Sequence, residues 1–160
     1  MTATRKNEAP QEMTDLLLTL DRVVSRLAAI QQTPRMYGTT VRLYSTEIHT
    51  IQAIGKMPRA NVTRLAKHMG VTKGAISQTI AKLVGKGLVH KERAPGDLRE
   101  VCLELTELGR VAHRNHEAFD RQILSAFRAH CGSDMDEKTK LYLSVLQDFE
   151  AILQLHEEMS

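Results

Sequence analysis

Residues 61–87, NVTRLAKHMGVTKGAISQTIAKLVGKG, decide the fold of this chain, because they predict two short helices joined by a tight turn. Asn61 is a good N-cap for the first helix, and Gly70 can adopt the left-handed conformation that ends it. Thr72 is predicted to cap a second helix that runs to Lys86, and Val71 is expected to tuck between the two. Apolar residues recur at helical spacing in both helices: Val62, Leu65, Ala66 and Met69, then Ile76, Ile80, Leu83 and Val84.

The other face of the second helix is small, polar and basic. Serine and glutamine hydrogen-bond base edges, and lysine binds guanine or neutralises phosphate, so this face is typical of a recognition helix in the major groove. A helical hairpin with no DNA-binding role is the alternative. The candidate DNA-binding residues of this segment are Thr63, Thr72, Lys73, Gly74, Ser77, Gln78 and Lys82.

A basic hairpin follows the two helices. Residues 88–93 and 99–105 are predicted to form strands, and Pro95-Gly96 is a turn signal. A helix-turn-helix followed by such a hairpin is a winged helix. Residues 61–99 carry a local charge of +6, whereas the whole chain carries +3. The charge is therefore concentrated where DNA would lie, and it adds Lys91, Arg93 and Arg99 as candidate contacts.

Long apolar helices are predicted on both sides of the winged helix. Residues 11–32, 106–130 and 134–157 each carry apolar residues at helical spacing, and a shorter helix over 45–54 is expected to begin at Ser45 or Thr46 and to stop at Gly55. The first helix is apolar on more than one face, so we expect a partner subunit to cover it. A two-fold dimer would place two recognition helices roughly 34–36 Å apart on a pseudo-palindrome.

The fold class is therefore predicted to be mainly α with a small β wing (α+β), a winged helix-turn-helix flanked by dimerisation helices. We predict a mobile arm at residues 1–10 and an N-terminal dimerisation helix at 11–36. A winged helix-turn-helix DNA-binding domain should span 37–105, and C-terminal dimerisation helices 106–160.

Composition narrows the function classes. Aromatic residues make up only 4% of the chain, which disfavours a stacking platform for single-stranded nucleic acid. No apolar run is long enough to span a bilayer and no signal peptide is present, so a cytoplasmic location is expected. Cys102 and Cys131 form no metal or redox motif; we expect free, packed thiols, with a regulatory disulfide as the alternative.

The order of the predicted helices and strands, together with the motifs, resembles that of the MarR (multiple antibiotic resistance regulator) family of bacterial transcription factors. The resemblance is carried by Leu65-Ala66 through Gly87-Leu88, by Asp97-Leu98-Arg99 and by Leu105-Thr106-Glu107-Leu108-Gly109. It implies a homodimer that is commonly a repressor and whose wing inserts an arginine toward the minor groove. Arg93 and Arg99 match that arginine, and Asp97 would orient a neighbouring arginine.

The resemblance also implies a cleft for small aromatic or phenolic anions, for which Tyr37, Tyr44 and His49 are the candidates. In the zinc-sensing branch, metal lies between the second and fifth helices. His49 and His116 fall on positions that resemble its histidine ligands, and Asp120 replaces a third. The run of adjacent histidines of that branch is absent. The alternative is a polar helix stripe with one hydrogen-bonded histidine.

These observations bear on three functions. The first is a homodimeric, ligand-responsive DNA-binding regulator, with a metal-responsive regulator of the same fold as its variant. The second is a winged-helix protein-interaction module that binds no DNA. The third, an enzyme, is disfavoured because the chain shows no nucleophile motif, no glycine-rich phosphate loop and no close carboxylate pair.

Overall fold

The computed structural model describes residues 10–94 and 97–158, and it leaves the side chains of residues 94, 97–100 and 156–158 undescribed. Nearly all of the predicted arm at 1–10 and the whole Pro95-Gly96 turn lie outside these residues. The described elements, in chain order, are α1 (Gln11–Gln31), α2 (Ser45–Lys56), α3 (Val62–Met69), α4 (Lys73–Gly85), β1 (Val89–Ala94), β2 (Asp97–Leu105), α5 (Glu107–Cys131), a 3-10 turn (Gly132–Asp134) and α6 (Met135–Glu158). The mainly α fold with a β wing is confirmed.

The chain divides into two compact units, Met1–His116 and Glu117–Ser160. The first unit contains the winged helix and a continuous apolar core. Its fully buried large side chains come from the loop before α2, from α2, α3 and α4, and from the start of the wing: Leu43, Ile48, Ile51, Leu65, Ile80, Leu83, Leu88 and Val89. This division does not show which segments dimerise and which bind DNA. The predicted organisation into an arm, an N-terminal helix, a winged helix and C-terminal helices therefore stays a prediction.

The helix-turn-helix forms with the predicted caps. The Asn61 side chain accepts a hydrogen bond from the Arg64 N–H at 2.9 Å, and Gly70 ends α3 in the left-handed region at φ 66°. The prediction was wrong for two apolar residues, because Val71 is 45% exposed and Val84 is 39% exposed. Ile76, Ile80 and Leu83 alone anchor α4 to the core, so Val84 falls beyond the edge of its buried stripe.

The wing is an antiparallel pair in which His90 faces Glu104 and Glu92 faces Cys102. Its strands are offset from the prediction: β1 begins one residue later, and β2 begins at Asp97, where the register slips after Arg93. The Leu103 N–H donates to the Ala60 carbonyl at 2.8 Å, so β2 is also tied to the segment that enters α3.

Helix α2 begins at Ser45, as predicted, but it ends later than predicted. Its N-cap is Tyr44, with no side-chain cap bond, and the helix continues through Gly55 to Lys56. Gly55 therefore lies inside the helix, where the lack of a side chain permits close packing against α5. A Cβ atom there would lie 2.6 Å from the His113 ring, so the absence of a side chain lets α5 approach α2.

The start of α5 is fixed against the wing by hydrogen bonds from one residue. The Thr106 hydroxyl donates to the Gly87 carbonyl at 2.7 Å and accepts from the Gly109 N–H at 3.1 Å. The Thr106 N–H donates to the Leu88 carbonyl at 3.1 Å. A Cβ atom on Gly109 would overlap that same carbonyl oxygen. The Leu-Thr-x-x-Gly motif is therefore a packing motif that joins α5 to the wing.

Gly109→Ala is expected to lower the free energy of unfolding by about 1–3 kcal/mol, the usual cost of overpacking. Gly85→Ala is the matched control, because no atom of the described residues lies within 4 Å of its added Cβ and its backbone conformation suits alanine. We expect the control to leave stability unchanged or to raise it by about 0.4–1 kcal/mol. Urea unfolding measures both, and equal stability of the two variants would contradict the packing role of Gly109.

Several apolar residues of the long helices are exposed within one chain. On α5 and α6 these exposed residues include Ile123, Leu124, Phe127, Leu141, Leu146, Ile152 and Leu153. The described helices include none with the length and apolar character of a membrane span.

Candidate nucleic-acid interface

Helix α4 presents one continuous exposed face opposite its three buried anchors. Since Ile76, Ile80 and Leu83 point into the core, the residues between them must point to solvent. This exposed face carries all the residues predicted for it, namely Lys73, Gly74, Ser77, Gln78 and Lys82. The arrangement gives hydrogen-bonding groups in the middle of the face and a cation toward each end.

The start of this face is small and well capped. The Thr72 hydroxyl accepts from the Ala75 N–H at 3.2 Å, and its own proton remains able to donate to a phosphate. Among the residues that the structure describes, a Cβ atom on Gly74 would meet only the Thr72 hydroxyl, at 3.8 Å. Thr63, on α3, is also exposed. A duplex could therefore approach the first turn of α4 closely, where the helix dipole favours a phosphate.

Two of the basic residues counted in the sequence have structural roles instead. The Arg64 guanidinium donates to the Pro58 and Arg59 carbonyls at 2.6 and 3.0 Å. Lys86 Nζ donates to both carboxylate oxygens of Glu47, at 2.6 and 2.7 Å. The positive surface is thus smaller than the local charge of +6 indicates. Among the described residues, it consists of the exposed side chains of Lys67, Lys73, Lys82, Lys91 and Arg93.

Glu47 and Lys86 fasten the end of α4 to the start of α2. The Glu47 side chain is 4% exposed and accepts the Tyr44 N–H at 2.9 Å, while Lys86 is 29% exposed and also donates to the Arg42 carbonyl. Glu47 lies in the first turn of α2, and no local pattern in the sequence indicates its partner. This ion pair sets the orientation of the recognition face relative to α2.

The wing contributes cations beside α4. Lys91 and Arg93 are exposed on β1. Asp97 and Arg99 lie on β2, but their side chains fall outside the described residues, so their roles at the minor groove stay predictions.

A cavity of about 370 Å³ lies at the base of the wing. Its lining includes three cationic residues and two carboxylates beside the buried Cys102 and Leu103: Arg59, Arg93, Arg110, Glu92 and Glu104. Arg110 also binds Glu107, and this hydrogen bond, followed by that from Arg114, holds the pKa of the Glu107 carboxyl below its ordinary value. Sequence analysis did not predict this cavity, because its lining residues are distant along the chain.

The residues predicted for a ligand or metal site only partly meet. The His116 ring lies 5.4 Å from the Tyr37 ring and 5.5 Å from the His49 ring, centroid to centroid. The planes of the His49 and His116 rings meet at 83°, an edge-to-face contact, so the structure brings the two imidazoles close while their role as zinc ligands stays a prediction. Asp120 lies one turn further along α5, in the second unit, and its part stays a prediction. Tyr44 lies elsewhere, in a depression with Gln31, Gln32, Thr46, Glu47, Thr79 and Lys82.

The chain is similar to known proteins that are named as transcriptional regulators. The MarR family model matches residues 43–101. An HTH-type transcriptional regulator of Bacillus subtilis, YhjH, is 31% identical over 91 residues, which are 57% of this chain and 52% of that protein. The chain thus spans about half the length of that relative. The transcriptional regulator ZitR of Lactococcus lactis is 27% identical over 113 residues, covering 69% of this chain and 77% of the relative.

Solved structures share the fold. The Streptococcus pneumoniae protein FabT, crystallised in complex with DNA, superposes with a TM-score of 0.69 at 25% identity, covering 89% of this chain and 98% of FabT. The zinc-responsive Lactococcus lactis ZitR gives a TM-score of 0.69 at 20% identity over 85% of this chain and 96% of that one. The second likeness concerns the fold alone.

Proposed function

We propose that this chain is a member of the MarR family, whose model matches residues 43–101, and that it is a sequence-specific, double-stranded DNA-binding transcriptional regulator. The observation that carries the proposal is the exposed face of α4, where Ser77 and Gln78 lie between Lys73 and Lys82 while the buried face anchors the helix. Amide and hydroxyl groups suit base edges, and the flanking lysines suit phosphates. The curated relatives are named as transcriptional regulators and not as enzymes.

We propose that the active form is a homodimer on a pseudo-palindromic operator. Support comes from the apolar side chains that α1 leaves exposed, since a contiguous apolar surface of this kind marks an interface. The exposed residues of α1 are Met13, Leu16, Leu17, Leu18, Val23, Val24, Leu27 and Ile30. Helix α6 also leaves apolar side chains exposed, and most of its charged residues are acidic. This combination suits a contact between subunits better than a contact with DNA.

We further propose that the protein is a cytoplasmic repressor released by a small anionic effector. The cavity at the base of the wing supports this part, because its volume of about 370 Å³ is that of a small-molecule site. Arg93, a candidate DNA contact, is also part of its lining. An effector bound there would compete with DNA for Arg93, and binding to the DNA-free conformation would shift the population away from the operator.

Gln78→Ala is expected to relax sequence preference at one operator position in each half-site, at a cost of about 1–3 kcal/mol if the amide makes two hydrogen bonds to a base. Competition between the preferred site and singly substituted sites measures this. An unchanged preference at every operator position would remove Gln78 from base recognition.

The general test of DNA binding is the salt dependence of affinity. Each phosphate contact contributes about −0.9 to the slope of log K against log salt concentration. Lys82→Ala is therefore expected to make the slope shallower by about 0.9, whereas Lys140→Ala, at an exposed position of α6, should leave it unchanged. A chain that gives no gel shift at physiological salt would instead be a protein-interaction module.

A metal-responsive regulator of the same fold is the second candidate, favoured by the approach of the His49 and His116 rings. A bound zinc ion would link α2 to α5 and so fix the helices around the winged helix. Zinc should then raise the melting temperature and operator affinity of the wild type by more than those of His49→Ala, and equal increases in the two proteins would contradict this candidate. If zinc raises neither, this candidate is wrong.

A further inference from the structure

We propose that the wing carries a binding site for a divalent transition-metal ion, formed by His90, Glu92 and Glu104. These three residues are called the wing cluster below. They lie on the two strands of the hairpin, whereas His49 and His116 lie on α2 and α5. The wing cluster is thus separate from that histidine pair, although Glu92 and Glu104 also line the cavity at the base of the wing. Metal binding by the cluster does not depend on the proposed function.

The strand register brings the three side chains together. His90 on β1 is the cross-strand partner of Glu104 on β2, and Glu92 follows His90 by two residues, on the same face of the hairpin. His90 Nε2 lies 2.9 Å from Glu92 Oε1 and 4.0 Å from Glu104 Oε2. One ligand atom from each residue lies within 4.8 Å of the other two. The donors therefore converge on one point.

These distances suit coordination by a small dication. Zinc binds imidazole nitrogen at about 2.0–2.1 Å and carboxylate oxygen at about 2.0–2.2 Å, so neighbouring ligand atoms of a tetrahedral ion are roughly 3.3–3.5 Å apart. The two distances from His90 lie on either side of this value. The three side chains are 40%, 54% and 58% exposed in chain order, so small rotamer changes can bring the atoms to the ion. Imidazole with carboxylates favours zinc or a similar transition metal over magnesium.

The charges of the wing cluster also favour a cation. Within the described ranges, His90 is the one hydrogen-bond or ion-pair partner of both Glu92 and Glu104. Two carboxylates thus share a single imidazole, which leaves net negative charge on these three residues, and residues 89–105 as a whole carry four acidic side chains against three basic ones. A dication would balance this charge and would join β1 to β2 at a paired position. Three protein ligands would leave one tetrahedral position for water.

A consequence for DNA follows, and it rests on the proposed function. Glu92 lies between Lys91 and Arg93, the exposed cations of β1. Its carboxylate and that of Glu104 weaken the attraction of the wing for phosphates. Neutralisation by the metal should therefore raise DNA affinity, most strongly at low salt.

Zinc titration of the full chain by calorimetry, without DNA, tests the site. The background is His49→Ala, which removes one imidazole of the other candidate site and is exposed. In this background we expect one zinc ion per protomer, and we expect Glu92→Gln with Glu104→Gln to abolish its binding. The matched control, Asp148→Asn with Glu150→Gln, makes the same charge change at exposed positions of α6 and should keep the ion.

Failure of the background protein to bind zinc, or zinc binding that survives Glu92→Gln with Glu104→Gln, would overturn the wing site. Unfolding curves recorded without zinc show that each variant is folded, which the exposure of the substituted residues leads us to expect. Anisotropy with duplex DNA then tests the consequence. Zinc should tighten binding of the His49→Ala protein and leave the version without the wing carboxylates unchanged; equal effects on both would overturn the link to DNA while the calorimetric result stands.

Discussion

Lys86→Met is expected to lower the free energy of unfolding by about 3–5 kcal/mol, the cost of leaving one member of a buried ion pair without its partner. The carboxylate of Glu47 is 4% exposed and binds Lys86 Nζ through both oxygens. Methionine keeps most of the volume of the lysine stem but cannot donate. The Glu47 charge would then be buried with only the Tyr44 N–H as a described donor.

Glu47→Gln should cost less than Lys86→Met, because Lys86 is 29% exposed and its ammonium can turn toward water. An amide also still accepts the Tyr44 N–H. Lys82→Met is the control, because it also removes a cation near the end of α4. We expect it to lower the free energy of unfolding by about 0.3–1 kcal/mol. Urea unfolding at neutral pH compares the variants. A larger loss for Glu47→Gln than for Lys86→Met would show that burial of the carboxylate is not the cause.

Leu146→Glu with Leu153→Glu is expected to convert the protein to monomers and to weaken operator binding at least about 10²-fold. The two leucines are seven residues apart on one face of α6, and both are exposed within one chain. Charges in an apolar interface would separate the subunits. Each recognition helix would then bind its half-site alone and lose the gain of linked binding, which is typically about 10²–10⁴-fold.

Gln147→Glu with Gln154→Glu is the matched control, since it adds the same charge at the same spacing to exposed polar positions of α6. Sedimentation equilibrium gives the subunit state, and fluorescence anisotropy with operator DNA gives the affinity. The control should remain a dimer of wild-type affinity. A dimer of unchanged affinity in the leucine variant would contradict the assignment of α6 to the interface.

The parts of the fold that depend on local chemistry were predictable from the sequence. The caps at Asn61 and Thr72 and the left-handed Gly70 follow from the preferences of those residues and agree with the structure. The wing also follows from its two short strand-forming segments and the Pro95-Gly96 turn signal between them, although β2 begins earlier than predicted and the register slips after Arg93. The exposed face of α4 was also predictable, because the helical periodicity of apolar residues separates it from the buried stripe.

The features that depend on distant contacts could not be predicted in this way. Glu47 and Lys86 are 39 residues apart, and no local pattern indicates that they pair. Gly55 resembles a helix stop in the sequence, but the His113 ring packed against it makes it an interior residue of α2. The wing cluster needs the cross-strand pairing of His90 with Glu104, which depends on the register.

Selection of bound sequences from random duplex DNA tests the central claim most directly, because the random pool offers the protein every candidate operator at once. If two α4 helices of a symmetric dimer are presented to successive major grooves, the enriched sequences should contain an inverted repeat. Its half-site centres should be about 10–10.5 base pairs apart or a multiple of that spacing. Enrichment of no sequence, or of a single half-site without a symmetric partner, would contradict the account.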